Sequence, residues 1–299
     1  MVVVVVAMVA GWCRQIKHCF ILTCPPFPVT PDARRRSHRN HCKMDWTRAV
    51  GRDLLLAFRT ILCQRSSLRR PLFANLDGKG RPILFVHGSS GNQSDWLQAW
   101  DPLTTKFRDH PCWAFSLDYR FDEATKEQGW DSKMTSTRCR ANMIDRSVTD
   151  YAKELLRRID FVSRTHNVDS VFVFGHSMGG LVACEAMRLA PEKISSVVAF
   201  ASPLMGAPLL KIAALRAICN TKRHRDMTPG SDLLTRFEGN HQLPKKLLAI
   251  ASWNDLQVPP HSARLSGCRT IVTGGFGHAS LIQDTSVFGE IETWMKERP

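Results

Sequence analysis

The chain has 299 residues, of which 43% are hydrophobic and 23% charged, enough apolar material for a sizeable core inside an ordinary globular protein. Its net charge of +14 is uneven: residues 1–70 hold 13 Lys/Arg against 3 Asp/Glu, and the remainder 28 against 24. A nucleic-acid enzyme carries its basic face on the folded domain, so this distribution argues against nucleic acid as a partner.

The chain opens on MVVVVVAMVAGWC, an apolar run of about a dozen residues before Arg14, where a membrane span needs roughly 20. It resembles the apolar region of a signal peptide without the leading positive charge. The Pro-rich and Arg-rich stretch PPFPVTPDARRRSHRNHC follows, a composition that does not pack. Residues 1–44 therefore read as an unstructured or targeting extension. A second reading, that translation starts at Met44 and the preceding residues are a gene-model artefact, stays open. Four of the ten cysteines (Cys13, Cys19, Cys24 and Cys42) crowd this extension, and no CxxC pair or Cys/His metal spacing occurs, so no metal is expected.

Over residues 45–70 Trp46, Val50, Leu54, Phe58 and Leu62 recur at helical spacing, with Arg48, Arg52 and Arg59 elsewhere. Such a basic amphipathic helix either lies on an anionic membrane surface or packs on the domain that follows. From the turn signal DGKGRP onward the pattern changes to short apolar runs. ILFVHG, CWAFSLDY, VDSVFVFG, SSVVAFAS, KLLAIAS and RTIVTGG read as strands. Helices are expected over 147–162 and 178–189, the latter burying Cys184 against the sheet. Apolar strands alternating with helices predict a mostly parallel sheet covered on both faces, an α/β catalytic domain over residues 71–299.

The sharpest local signal is FVFGHSMGGLVACEAM. Gly175, Ser177 and Gly179 satisfy G-x-S-x-G, with a strand directly before and a helix directly after. A serine on such an elbow stands above the sheet, and the helix N-terminus offers N–H groups to an oxyanion. His176, inside the elbow, reads as a packing residue. A serine nucleophile needs a base and a carboxylate to orient that base, in the chain order Ser, acid, His. His278 follows the last strand in a Gly-rich loop and is the candidate base. His241 and His261 precede that strand. Asp255 follows the preceding strand and is the candidate acid. Asp226 and Asp232 lie before that strand, and Asp284 comes after the histidine. The oxyanion donors are expected at Met178 and, in the loop HGSSG, at Ser89, with His87 bracing that loop.

FVHGSSG, GHSMGG, D-L-Q-V and GHASL together resemble the lipase and esterase branch of the α/β-hydrolases. The similarity, over about residues 81–297, is to small bacterial triacylglycerol lipases and GPI-inositol-deacylase-like lipases, and includes ASPLMGAP and DMTPGSDLL. ASPLMGAP departs from the pattern in lacking a further histidine or arginine. The resemblance implies an α/β-hydrolase fold and a triad of Ser177, Asp255 and His278, with oxyanion donors at Ser89 and Met178 and no cofactor. It also implies a lid or cap at about 204–243, where an apolar helix over 208–219 precedes Lys222, Arg223 and Arg225. The expected activity is cleavage of carboxylic esters, lipid or acyl esters above all. The alternatives are an acyltransferase or thioesterase with the same residues, and a non-catalytic binding protein on the same fold. Asn92-Gln93-Ser94 is an N-glycosylation acceptor three residues past Ser89, where a glycan would obstruct the site mouth. An intracellular, membrane-associated or organellar location is expected on that ground.

Overall fold

The computed structural model describes Gly51, Asp53 and residues 71–89, 91–117, 146–211 and 221–297. They fall in the compact unit 42–299. The expected extension over 1–44 lies outside the described residues, as does the 45–70 helix apart from Gly51 and Asp53.

The apolar runs form β2 (Ile83–Val86), β3 (Cys112–Phe115), β4 (Val171–His176), β5 (Ile194–Phe200), β6 (Leu247–Ser252) and β7 (Arg269–Thr273). β1 (Leu72–Ala74), which the sequence pattern does not announce, completes a seven-stranded sheet of order β1-β3-β2-β4-β5-β6-β7. Every pairing is parallel except β1 with β3. Three residues are too few to display a period, and β1 exists because the β3 edge supplies its partner.

Both faces of the sheet are covered over its inner strands β2 to β6, which is why these are mostly apolar rather than alternating, whereas the edge strands β1 and β7 are partly exposed. Leu84, Val86, Val173 and Val197 point to one face, where they meet the helices α2 (Val148–His166) and α3 (Met178–Leu189). The intervening Ile83, Phe85, Phe172, Phe174 and Val198 point to the other, against α1 (Leu97–Lys106) and α6 (Phe288–Lys296). Phe85 packs edge-on to Trp96, Trp100 and Phe174 at centroid distances of 5.0–5.4 Å, a geometry that suits the ring quadrupoles.

Local chemistry sets the helix ends. In α2 the Ser147 side chain accepts from Asp150 N–H while Asp150 accepts from Ser147 N–H, a reciprocal capping box. The helix runs a turn beyond the expected 162, because nothing stops it before Asn167 adopts the left-handed conformation at φ 50°. α1 was hidden by Pro102 in its interior, a residue that normally ends a helix.

Within the expected lid segment, Pro208–Lys211 forms a single 3-10 turn and 212–220 lie outside the described residues. Beyond them α4 (Lys222–Asp226) and α5 (Asp232–Glu238) follow. Leu233, Leu234 and Phe237 of α5 are buried in the same cluster as α2 and α3, and Asp226 Oδ2 accepts from Val148 N–H at 2.7 Å. This part of the segment is a wall of the core.

Candidate active site

The sheet register assembles the site. Val86 pairs with Gly175, so the loop leaving β2 (His87, Gly88, Ser89) runs beside the turn leaving β4. His176 pairs with Phe200, Phe200 with Ile250, and Ser252 with Thr273. The loops after β2, β4, β6 and β7 therefore open on one edge, the carboxyl ends of parallel strands where ligands of such sheets bind.

Ser177 occupies the turn between β4 and α3 at φ 54°, ψ −123°, a region that costs a non-glycine residue of order 1–3 kcal/mol. Surrounding contacts fix it there: its N–H donates to Phe200 O at 2.8 Å and its C=O accepts from Gly180 N–H at 3.1 Å. A Cβ on Gly179 would lie 2.5 Å from Val86 O and 2.6 Å from His87 O, so only glycine lets α3 start this close to β2. A Cβ on Gly88 would lie 3.2 Å from Ser177 Cβ. The HGSSG loop therefore passes directly over the serine, with Ser89 next in the chain. Met178 is the first residue of α3, where backbone N–H groups have no intrahelical acceptor.

His278 Nε2 lies 2.9 Å from Ser177 Oγ, and its Nδ1 lies 2.8 Å from Asp255 Oδ2. Asp255 is 3% exposed, and its other oxygen accepts from Gln257 and Val258 N–H, both at 2.8 Å. The carboxylate is thereby fixed with one face toward the imidazole. Nδ1 donates to it, which leaves Nε2 as acceptor for the serine hydroxyl. Burial pushes the His278 pKa down, but the charge and hydrogen bond of Asp255 outweigh it, Asp53 adds to them, and the net value lies above that of an ordinary histidine.

The competing residues are elsewhere. His241 and His261 are exposed in turns. Asp226 caps α2, Asp232 opens α5, and Asp284 accepts from Ser286 N–H and Oγ–H at the cap of a 3-10 turn. His87 accepts from Leu117 N–H at Nε2 and donates to Gly88 O from Nδ1, bridging the loops after β2 and β3. Asn92 uses its side-chain oxygen to cap the 3-10 turn Gln93–Trp96, and Ser94 is 9% exposed. Cys112, Cys184 and Cys268 are free thiols.

Some supporting residues escaped the sequence reading. His176 does more than pack: its Nε2 donates to His278 O at 2.9 Å, with ring centroids 5.1 Å apart. Nδ1 is consequently the unprotonated nitrogen, buried with no partner among the described residues. Burial, with the nearby His278, presses its pKa down to about 4. Asn254 Oδ1 accepts from Gly275 N–H at 2.7 Å, and Ser252 Oγ donates to Phe276 O at 2.5 Å, tying the loop of Asp255 to the loop of His278. Asp53 reaches the loop of His278 through Ser280. Adjacency to Ser177 or Asp255 is the one signal that could have found His176 and Asn254; nothing in the sequence marks Asp53.

The mature lipase BlEst2 of Bacillus licheniformis superposes with a TM-score of 0.51, at 18% identity over 71% of this chain and 91% of that one. Rv0554 from Mycobacterium tuberculosis gives 0.52, at 16% identity over 77% and 93%. MGS-MChE2, an α/β-hydrolase from the sediment metagenome of the Mar Chica lagoon in Morocco, gives 0.50, at 19% identity over 76% and 94%. This chain is an α/β-hydrolase by fold. Residues 77–223 of the chain match the model of the PGAP1-like alpha/beta domain family. No curated protein sequence gives a significant match. Among the described residues, no group of three or more His, Cys, Asp or Glu side chains is arranged to hold a metal. No described helix is long and apolar enough to cross a membrane.

Proposed function

We propose that this α/β-hydrolase is a serine hydrolase that cleaves carboxylic esters through a Ser177-His278-Asp255 triad and an acyl-enzyme. The observation that carries the reading is the continuous hydrogen-bonded path from Ser177 Oγ through both His278 nitrogens to the buried Asp255. Ser177 Oγ attacks the ester carbonyl as His278 Nε2 takes its proton, and Asp255 stabilises the imidazolium that forms. The backbone N–H groups of Met178 and Ser89 receive the developing oxyanion, an interaction worth about 10²–10³-fold in turnover per donor. The imidazolium returns its proton to the leaving alcohol. A water activated by the same histidine then releases the acid and restores Ser177.

The substrate we infer is an ester with an apolar acyl part. Met205 and Trp253, on the loops leaving β5 and β6 at the same edge as the triad, are large apolar side chains 39% and 53% exposed. Peripheral attachment of the basic N-terminal region to an anionic membrane would bring such an ester to the site.

The test is labelling of the full-length chain with a fluorophosphonate, together with hydrolysis of p-nitrophenyl esters of increasing acyl length, with and without an added alcohol acceptor. The parent protein is expected to label and to release nitrophenol, and Ser177→Ala to do neither while keeping its circular dichroism. Undiminished labelling of Ser177→Ala would sink the assignment. Transfer to the alcohol in preference to water would make the enzyme an acyltransferase.

A further inference from the structure

The loop that carries His278 is fixed at nearly every peptide. Phe276 O accepts from Ser252, and His278 O accepts from His176. Gly277 N–H donates to Ser280 Oγ at 2.8 Å. Ser280 in turn donates twice to one oxygen of Asp53, from its backbone N–H at 3.0 Å and from its hydroxyl at 2.9 Å. Asp53 is a helical residue 227 positions away in the chain, before the first strand of the sheet. A Cβ on Gly277 would run into the Asp53 carboxylate, so the absent side chain is what lets the carboxylate close on the turn.

We propose that Asp53 is a positioning residue for the reaction, its carboxylate clamping the Gly277–Ser280 turn so that the His278 ring stays between Ser177 and Asp255. This rests on the serine-hydrolase reading above. Both ring nitrogens of His278 already have partners, so Asp53 acts through Ser280 and not on the ring. Sequestering a carboxylate is unfavourable, and burial indeed pushes its pKa above the usual range against the Ser280 hydrogen bonds that lower it. Charge-assisted bonds from an N–H and a hydroxyl are the stronger class, which suits a clamp on a reacting group. Among the described residues, the charged and titratable groups facing His278 are Asp255 from the loop after β6, His176 from the elbow, and Asp53 from the N-terminal segment. Asp53 thus contributes position through Ser280 and negative potential through space.

The two contributions separate in substitutions of the full-length chain, read by p-nitrophenyl butyrate hydrolysis. Asp53→Ala removes both, and kcat is expected to fall about 10-fold with KM little changed, since a small displacement of a reacting group costs up to 10²-fold. Asp53→Asn keeps an oxygen to accept both Ser280 bonds and loses only the charge. It is expected to recover most of the lost kcat while the acid limb of kcat/KM moves down by about half a pH unit, an anion near an imidazolium having been removed. Ser280→Ala, which keeps its backbone N–H, should lose about threefold in kcat; this variant decides the matter if Asp53→Ala does not fold. Parent-like kcat and pH profile in Asp53→Ala would overturn the proposal. So would equal losses in Ala and Asn variants that track a lowered melting temperature with an unmoved acid limb. A parent chain that does not label at Ser177 would instead refute the serine-hydrolase reading itself.

Discussion

The buried His176 makes the stability of this protein depend on pH in a calculable way. Its ring is 7% exposed, donates from Nε2 to His278 O, and leaves Nδ1 without a partner among the described residues. In the folded protein the pKa is about 4 against an ordinary 6.5. Between those values the unfolded chain binds a proton that the folded chain refuses, so stability is complete above pH 6.5 and is lost as the pH falls toward 4. At 1.36 kcal/mol per unit, the difference of about 2.5 units is worth about 3 kcal/mol. The assay is urea unfolding followed by tryptophan fluorescence at pH values from 7.5 to 4, for the parent and for His176→Asn. The variant keeps a donor for the His278 carbonyl and loses the titration. With a urea slope of about 3 kcal/mol per molar, the parent midpoint should drop about 1 M further than that of the variant over this range. The uniform cost of the smaller side chain cancels, because the comparison is between slopes. Parallel pH curves for the two proteins would refute the account of His176 as a neutral ring held below its ordinary pKa.

Other outcomes follow from the same geometry. Asp255→Asn is expected to lower kcat by about 10⁴-fold, because Asp255 is what presents His278 in the right tautomer. In the parent, the acid limb of kcat/KM should lie above pH 6.5, since His278 must be neutral to act and its pKa is raised. An acid limb below that value, or near-normal turnover in Asp255→Asn, would assign the acid elsewhere. Gly179→Ala puts a methyl group 2.5 Å from Val86 O, and backbone on both sides cannot yield cheaply. A loss of about 1–3 kcal/mol, or roughly 2–12 °C in a thermal melt, is expected, and a parent-like melt would show that α3 can retreat from β2.

Much of the fold could be read from local pattern because its signals are local. Six of the strands are short, largely apolar runs, most of them bounded by turn residues, and the elbow needs only a strand, five residues and a helix in sequence. The ordering of Ser177, Asp255 and His278 along the chain pointed to the three groups that meet, since each follows a strand of a parallel sheet. The features that escaped lack such a signature. β1 is three residues long and takes its conformation from β3. α1 carries a proline in its interior.

Hydrophobic period and glycine placement act over a few neighbours, so the parallel sheet, the turn at Ser177 and the identity of the residues that follow each strand are all legible in the chain. How those residues meet one another depends on the folded arrangement. The sheet order β2-β4-β5-β6-β7, with Val86 beside Gly175 and Ser252 beside Thr273, brings four loops to one edge, and no local property of the chain encodes that register. It turned His176 from a packing residue into a donor to the carbonyl of His278. It also set Asp53 against Ser280 across 227 positions, in a contact between two short polar side chains whose neighbours in sequence carry no trace of the partner.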